Sequence, residues 1–198
     1  MKITTIFKST LLLSLMVGLA GCASNLETQS SAEIEQQTMI QSFRGSPSEI
    51  ISAPTLQMQN FPNLFYGSDT DTVFYNLVAH KDKKSTNYIS YLLEFDASYG
   101  TRQGSSTLRR YDMAKANNGS FIPTTNLRHE EMRCQNFRGV GAGCLYRDRA
   151  YVKLSLADLE AGSHTGINLT LSSANKEYEH LYLPSHYVDG FLKAVKNQ

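Results

Sequence analysis

Alternation with a period of two dominates the chain from about Thr55 onward, and it confines the fold to extended strands whose two faces meet different surroundings. Val73, Tyr75, Leu77 and Ala79 alternate with more polar neighbours. The run Lys81-Asp82-Lys83-Lys84-Ser85-Thr86 then makes a charged turn, and Ile89, Tyr91, Leu93 and Phe95 alternate again. Two such runs about one turn read as a β-hairpin. Phe74, Val78, Tyr88 and Leu92 lie on its opposite face, which predicts cover on both sides, at least in part, as in a sandwich or a sheet crossed by a helix.

The remaining strands follow with less contrast. Leu108 to Met113 is strand-like but polar. Residues 121–134 and 144–154 flank a glycine-rich turn and read as a second antiparallel pair, the latter continuing the alternation Ala150, Val152, Leu154, Leu156. Ser155-Leu156-Ala157-Asp158 has the pattern of a capping box, opening a short helical turn that Gly162 is placed to close. Ile167, Leu169 and Leu171 make a half-buried strand, which returns after a turn at residues 173–176 as Tyr178 to Leu183. Pro184 and Ser185 then permit a helix start. Val188, Phe191, Leu192 and Val195 fall on one helical face, and Lys193 and Lys196 suit its C-terminal end. A helix of about 11 residues is marginal alone, so it must dock on the sheet. The expected fold is mainly β: an antiparallel sheet or sandwich with a short C-terminal helix packed on it. Neither a doubly wound pattern nor a repeat is visible.

The N-terminal third has a different composition. Between Ala23 and Pro54, Ser, Thr, Gln, Glu and Asn dominate, with Gly45, Pro47 and Pro54 as breakers. Such a stretch buries too little to offset its ordering entropy and is expected to be a tether. About 25 residues of flexible coil would span roughly 25 to 30 Å. Ile34, Ile40 and Phe43 could line a helix over about 31–43, and packing of part of the stretch on the domain is the alternative.

Residues 1–21 read as an export signal: Lys2 and Lys8, then the apolar run Leu11 to Ala20. That run is too short to span a bilayer, which takes about 20 residues. Its end, Leu19-Ala20-Gly21-Cys22, resembles the lipobox of bacterial lipoproteins at every position. The resemblance covers these first 22 residues alone. It implies a diacylglycerol thioether on Cys22, cleavage after Gly21 and, in Gram-negative bacteria, a further acyl chain on the freed amine. At about 0.8 kcal/mol per buried methylene, two or three such chains make release negligible. Ala23 stands where Asp commonly signals inner-membrane retention, so the resemblance implies the periplasmic face of the outer membrane. The chain then divides into a signal peptide at 1–21, a lipidated N-terminus and tether at 22–54, and one β-rich periplasmic domain at 55–198.

With Cys22 lipidated, Cys134 and Cys144 are left as an even pair in an oxidising compartment and are expected to form a disulfide. Gly139, Gly141 and Gly143 lie between them and let the loop close. This closure, with no Lys-Ser/Thr and no helix following, argues against a phosphate loop. Arg128, Arg133, Arg138, Arg147 and Arg149 crowd around the same loop and form a candidate interaction surface, with Glu130, Glu131 and Asp148 offsetting part of the charge. His80, His129, His164, His180 and His186 share no metal-ligand spacing and are expected at the surface or rim. Asp69-Thr70-Asp71 resembles a fragment of a calcium loop without the rest of one. No nucleophile elbow or Ser-x-x-Lys occurs.

The near balance of 19 basic and 18 acidic side chains gives no electrostatic basis for nucleic-acid binding. The expectation is a membrane-anchored lipoprotein with no catalytic or metal residues and no cofactor beyond its own acyl chains. It would act as a binding or assembly-accessory module with an envelope protein as partner. A periplasmic enzyme or small-ligand binder is the alternative, for which the arginine-rich stretch is the hint.

Overall fold

The computed structural model describes residue 26 and residues 28–60, 71–84, 89–102, 109, 111–116, 119–137, 141–173 and 178–198. In chain order the elements are α1 (Ser31–Gln37), β1 (Met39–Ser42), β2 (Ser48–Ser52), β3 (Leu56–Asn60), β4 (Asp71–Asp82), β5 (Ile89–Arg102) and β6 (Tyr111–Ala116). There follow β7 (Phe121–Phe137), β8 (Gly141–Leu154), α2 (Leu156–Thr165), β9 (Ile167–Ser173), β10 (Tyr178–Leu183) and α3 (Ser185–Lys196). The mainly β expectation holds. The strands make one antiparallel sheet in the order β1-β2-β4-β5-β8-β7-β6-β9-β10, with β3 beside β2 on the edge of β4.

The sheet curls on itself instead of stacking as two layers. Tyr75 on β4 donates through its hydroxyl to the Tyr182 carbonyl on β10, at the other end of the strand order, over 3.0 Å. The curl gives the sheet a filled inner face. Val73, Tyr75, Leu77 and Ala79 of β4 meet Tyr91, Leu93, Phe95 and Ala97 of β5, Ala150, Val152 and Leu154 of β8, and Leu169 and Leu171 of β9, all buried. The outer face is less covered than the sequence suggested. Val78 is buried there, but Phe74 is exposed.

The helices gather at one end of the curl, where β4, β8 and β10 finish. There α3 turns Tyr187, Val188, Phe191, Leu192 and Val195 inward. The Tyr187 hydroxyl donates to the Pro54 carbonyl at 2.7 Å and accepts from Leu77 N–H at 3.3 Å, so a buried polar group ties α3 to the break between β2 and β3. Ser155 caps α2 in a capping box with Asp158, as the sequence predicted. The helix ends one turn later than expected, since Gly162 is buried inside it and Gly166, at φ 77°, is the residue that turns the chain into β9.

The tether expected over 22–54 is corrected from residue 28 onward. Ser30 and Glu33 form a capping box that starts α1, and Ile34 is fully buried against α3. The helix stops at Gln37, so Ile40 belongs to β1 and Phe43 to the turn after it, and both are exposed. Composition misleads here because one buried isoleucine and a glycine opposite it suffice for docking. At Gly190 of α3 a Cβ would lie 2.5 Å from the Ser31 carbonyl oxygen and 2.7 Å from Ile34 Cβ, so the absent side chain is what lets the helices touch. Leu26 also packs on the core, and its carbonyl contacts His186 Nε2 at 2.9 Å in the first turn of α3.

Candidate functional site

The inner face changes character toward the opposite end of the curl, the rim where β5, β7 and β9 finish. Strand parity that places Ala150, Val152 and Leu154 inside also places Asp148 and Tyr146 inside. The same rule on β10 puts Glu179 in line with Leu181 and Leu183. Asp148 and Glu179 are each only 4% exposed. A carboxylate at such a position requires partners, because desolvating an unpaired charge costs several kcal/mol.

Each carboxylate has them. Asp148 stands opposite His129 in the β7–β8 ladder, and its Oδ1 contacts His129 Nδ1. Its Oδ2 accepts from the Tyr99 hydroxyl at 2.8 Å, and that hydroxyl accepts in turn from Arg109 N–H at 3.0 Å. Glu179 Oε1 accepts from Arg109 Nη1 at 3.3 Å and from the Tyr111 hydroxyl at 3.2 Å. The Arg109 guanidinium also lies 4.9 Å from the centre of the Tyr99 ring and so links the two carboxylate groups.

Aromatic stacking continues the network from strand to strand. The His129 ring lies on Tyr146, with centroids 5.8 Å apart and planes 12° apart, and Tyr146 lies on Tyr99 at 5.9 Å and 26°. Tyr146 further donates to Glu131 Oε2 at 3.3 Å. Burial, reinforced by the hydrogen bond and charge of Asp148, pushes the Tyr99 phenol well above its ordinary value. Burial and the Glu179 charge do the same to Tyr111. Both therefore remain protonated donors across the neutral range.

His129 has the arrangement that prepares an imidazole for proton transfer: Nδ1 is fixed by a buried carboxylate, and the side chain keeps 27% of its surface open. Among the described residues no hydroxyl or thiol contacts it. The sequence placed His129 at the rim, as found, but did not supply its partner. The available signal was parity, since Asp148 and Glu179 are acids on the apolar phase of their strands.

The other sequence-derived sites lie elsewhere. Cys134 and Cys144 are bonded, as expected, directly across the β7–β8 ladder. Glu131 lies close enough to both sulfurs to suggest a metal triad, but a disulfide offers no thiolate. Arg147 and Arg149 point to the outer face, where Asp96 receives both, at 2.7 Å from Arg147 Nε and 2.8 Å from Arg149 Nε. Burial raises the Asp96 carboxyl, but the two arginines outweigh it and hold it below the ordinary range. Arg128 pairs with Glu130 on the same outer face. These three arginines thus form a mixed-charge surface turned away from the rim network, and not a single anion-binding patch. The Arg133 side chain, Arg138, Cys22 and Asp69-Thr70 fall outside the described residues. No known protein family, curated protein or solved structure matches the chain.

Proposed function

We propose that this chain is a lipid-anchored, non-catalytic binding module of the cell envelope. Cys22 would hold it on the periplasmic face of the outer membrane, and the rim of its curled sheet would meet an envelope protein. The supporting observation is polarity in the architectural sense. Leu26 is seated at the helical end of the curl, whereas the charged and aromatic network of His129, Asp148, Arg109 and Glu179 lies toward the other end. Only Ala23, Ser24 and Asn25 separate Cys22 from Leu26, a leash of at most about 14 Å. An anchor so placed turns the rim away from the membrane.

The reading is tested by photocrosslinking in cells at native abundance. A crosslinker at Leu127 or Met132, the exposed bulge residues of β7, should give a reproducible protein adduct, and one at Leu156 of α2 should not. Absence of any adduct from the β7 positions in a folded, correctly exported protein would refute a protein partner at the rim.

A second reading, a small-ligand binder or enzyme, is favoured by the Asp148-held imidazole of His129. It predicts a compound that raises the melting temperature of the native protein and has no effect on His129→Ala. Failure of a broad metabolite screen to find one counts against it.

A further inference from the structure

Most of the large apolar side chains left exposed among the described residues lie at the helical end of the sheet, not at the rim. Met39, Ile40 and Phe43 on and after β1, Phe121 at the start of β7, and Leu156 in the first turn of α2 are all there, and Phe43 and Phe121 are 57% and 64% exposed. Two turns at this end are locked together. Lys83 N–H donates to the Pro47 carbonyl at 2.8 Å, and Lys83 Nζ donates to the Phe43 carbonyl at 3.4 Å. This contact groups Phe43 with Arg44, Lys83 and Lys84, all exposed. Of the nearby acids, Glu49 stands opposite Lys81 in the β2–β4 ladder and Asp82 accepts from Lys84 N–H. The two tips together therefore carry a positive excess beside an aromatic ring.

We infer that this end of the domain is a membrane-contact face, with Phe43 seated at the interface and Arg44, Lys83 and Lys84 on anionic phospholipid headgroups. The inference rests on the proposed anchor at Cys22. The seat of the N-terminal stretch argues for a bilayer over a protein as occupant. Leu26 is docked on the first turn of α3 at this end of the sheet, so acyl chains on a leash of at most about 14 Å would bring the helical end, and not the rim, toward the leaflet. Apolar tips flanked by cations are the chemistry that an anionic interface receives. The acids of α1 and α2, Glu33, Glu35, Asp158 and Glu160, limit the contact to the β1–β2 and β4–β5 tips, with Glu33 and Asp158 already spent on helix caps.

The chain has no tryptophan, so Phe43→Trp supplies a single reporter at an exposed position, and Met132→Trp supplies one at the rim. The lipidated protein is reconstituted into phosphatidylethanolamine vesicles containing phosphatidylglycerol and a brominated lipid. Emission from F43W should shift to the blue and be quenched, while M132W should be unaffected. Each cation removed by Arg44→Gln, Lys83→Gln or Lys84→Gln should weaken the contact roughly fivefold. Salt should release it as well.

Flotation with the vesicles but no quenching at position 43, or equal quenching at both positions, overturns the face while leaving the anchor standing. A protein that does not float refutes the anchor. In that case F43W with excess anionic vesicles decides the face alone, and no shift there overturns it.

Discussion

Gly190→Ala isolates the contact that turns the polar N-terminal stretch into part of the domain. A methyl group at this position would sit 2.5 Å from the Ser31 carbonyl oxygen and 2.7 Å from Ile34 Cβ. The first neighbour is helix backbone, so no side-chain rotation relieves it and α1 must move as a unit. Overpacking of this kind costs about 1 to 3 kcal/mol. If α1 instead leaves its seat, the burial of Ile34 is lost, roughly 1.5 to 3 kcal/mol. Either route is offset by the gain of about 1 kcal/mol that alanine brings to a helix interior. The expected net effect is a loss of up to about 2 kcal/mol in urea denaturation, with faster hydrogen exchange confined to residues 31–37. A variant more stable by about 1 kcal/mol, the value for a solvent-facing helical glycine, with unchanged exchange in α1, would refute the docking of α1 on α3.

Three further outcomes follow from the same structure. Replacing Cys134 and Cys144 by serine opens a short loop and should lower stability by roughly 2 to 3 kcal/mol, read by urea denaturation against the native protein under oxidising and reducing conditions. Tyr99, Tyr111 and Tyr187 are held neutral in the fold by burial, with ordinary phenol values of 10.0 when unfolded. Their contribution is complete below pH 10 and is lost as the pH rises toward their folded values, so an alkaline titration should show these tyrosinates appearing only together with unfolding. Asp96 is shifted the other way from 3.8, so its contribution is present above that value and lost as the pH falls through the lower folded one. The stability difference between the native protein and Asp96→Asn should therefore be constant near neutrality and shrink below about pH 4.

The parts of the fold legible in the sequence are those in which burial has a period. Ile167, Leu169 and Leu171 announce β9, and Val188, Phe191, Leu192 and Val195 announce α3, because each side chain makes its own contact with the core. The N-terminal elements show only in part, as a helix starting near residue 31 whose end and following strands leave no periodic mark. In α1 a single buried residue, Ile34, carries the docking, and β1 buries none of its four side chains. The rim network escapes for a different reason. Asp148 and His129 are brought together by ladder register, which two β-bulges in β7 reset at Leu127 and Met132. A register of this kind depends on the whole hairpin and leaves no local mark beyond an acid on an apolar phase. The mixed charge of the arginine-rich stretch was legible from Glu130, Glu131 and Asp148 between the arginines. Which face each takes was not, since side-chain alternation sends Arg147 and Arg149 to the face opposite Asp148, where Asp96 receives both.

The proposed compartment and the orientation of the rim both depend on the bond proposed at Cys22. Intact-mass measurement of the exported, detergent-extracted protein addresses it directly. The proposed anchor requires a polypeptide that starts at Cys22 and carries the added mass of a diacylglyceryl group and an acyl chain. A polypeptide with a free, unmodified thiol at position 22 would contradict it.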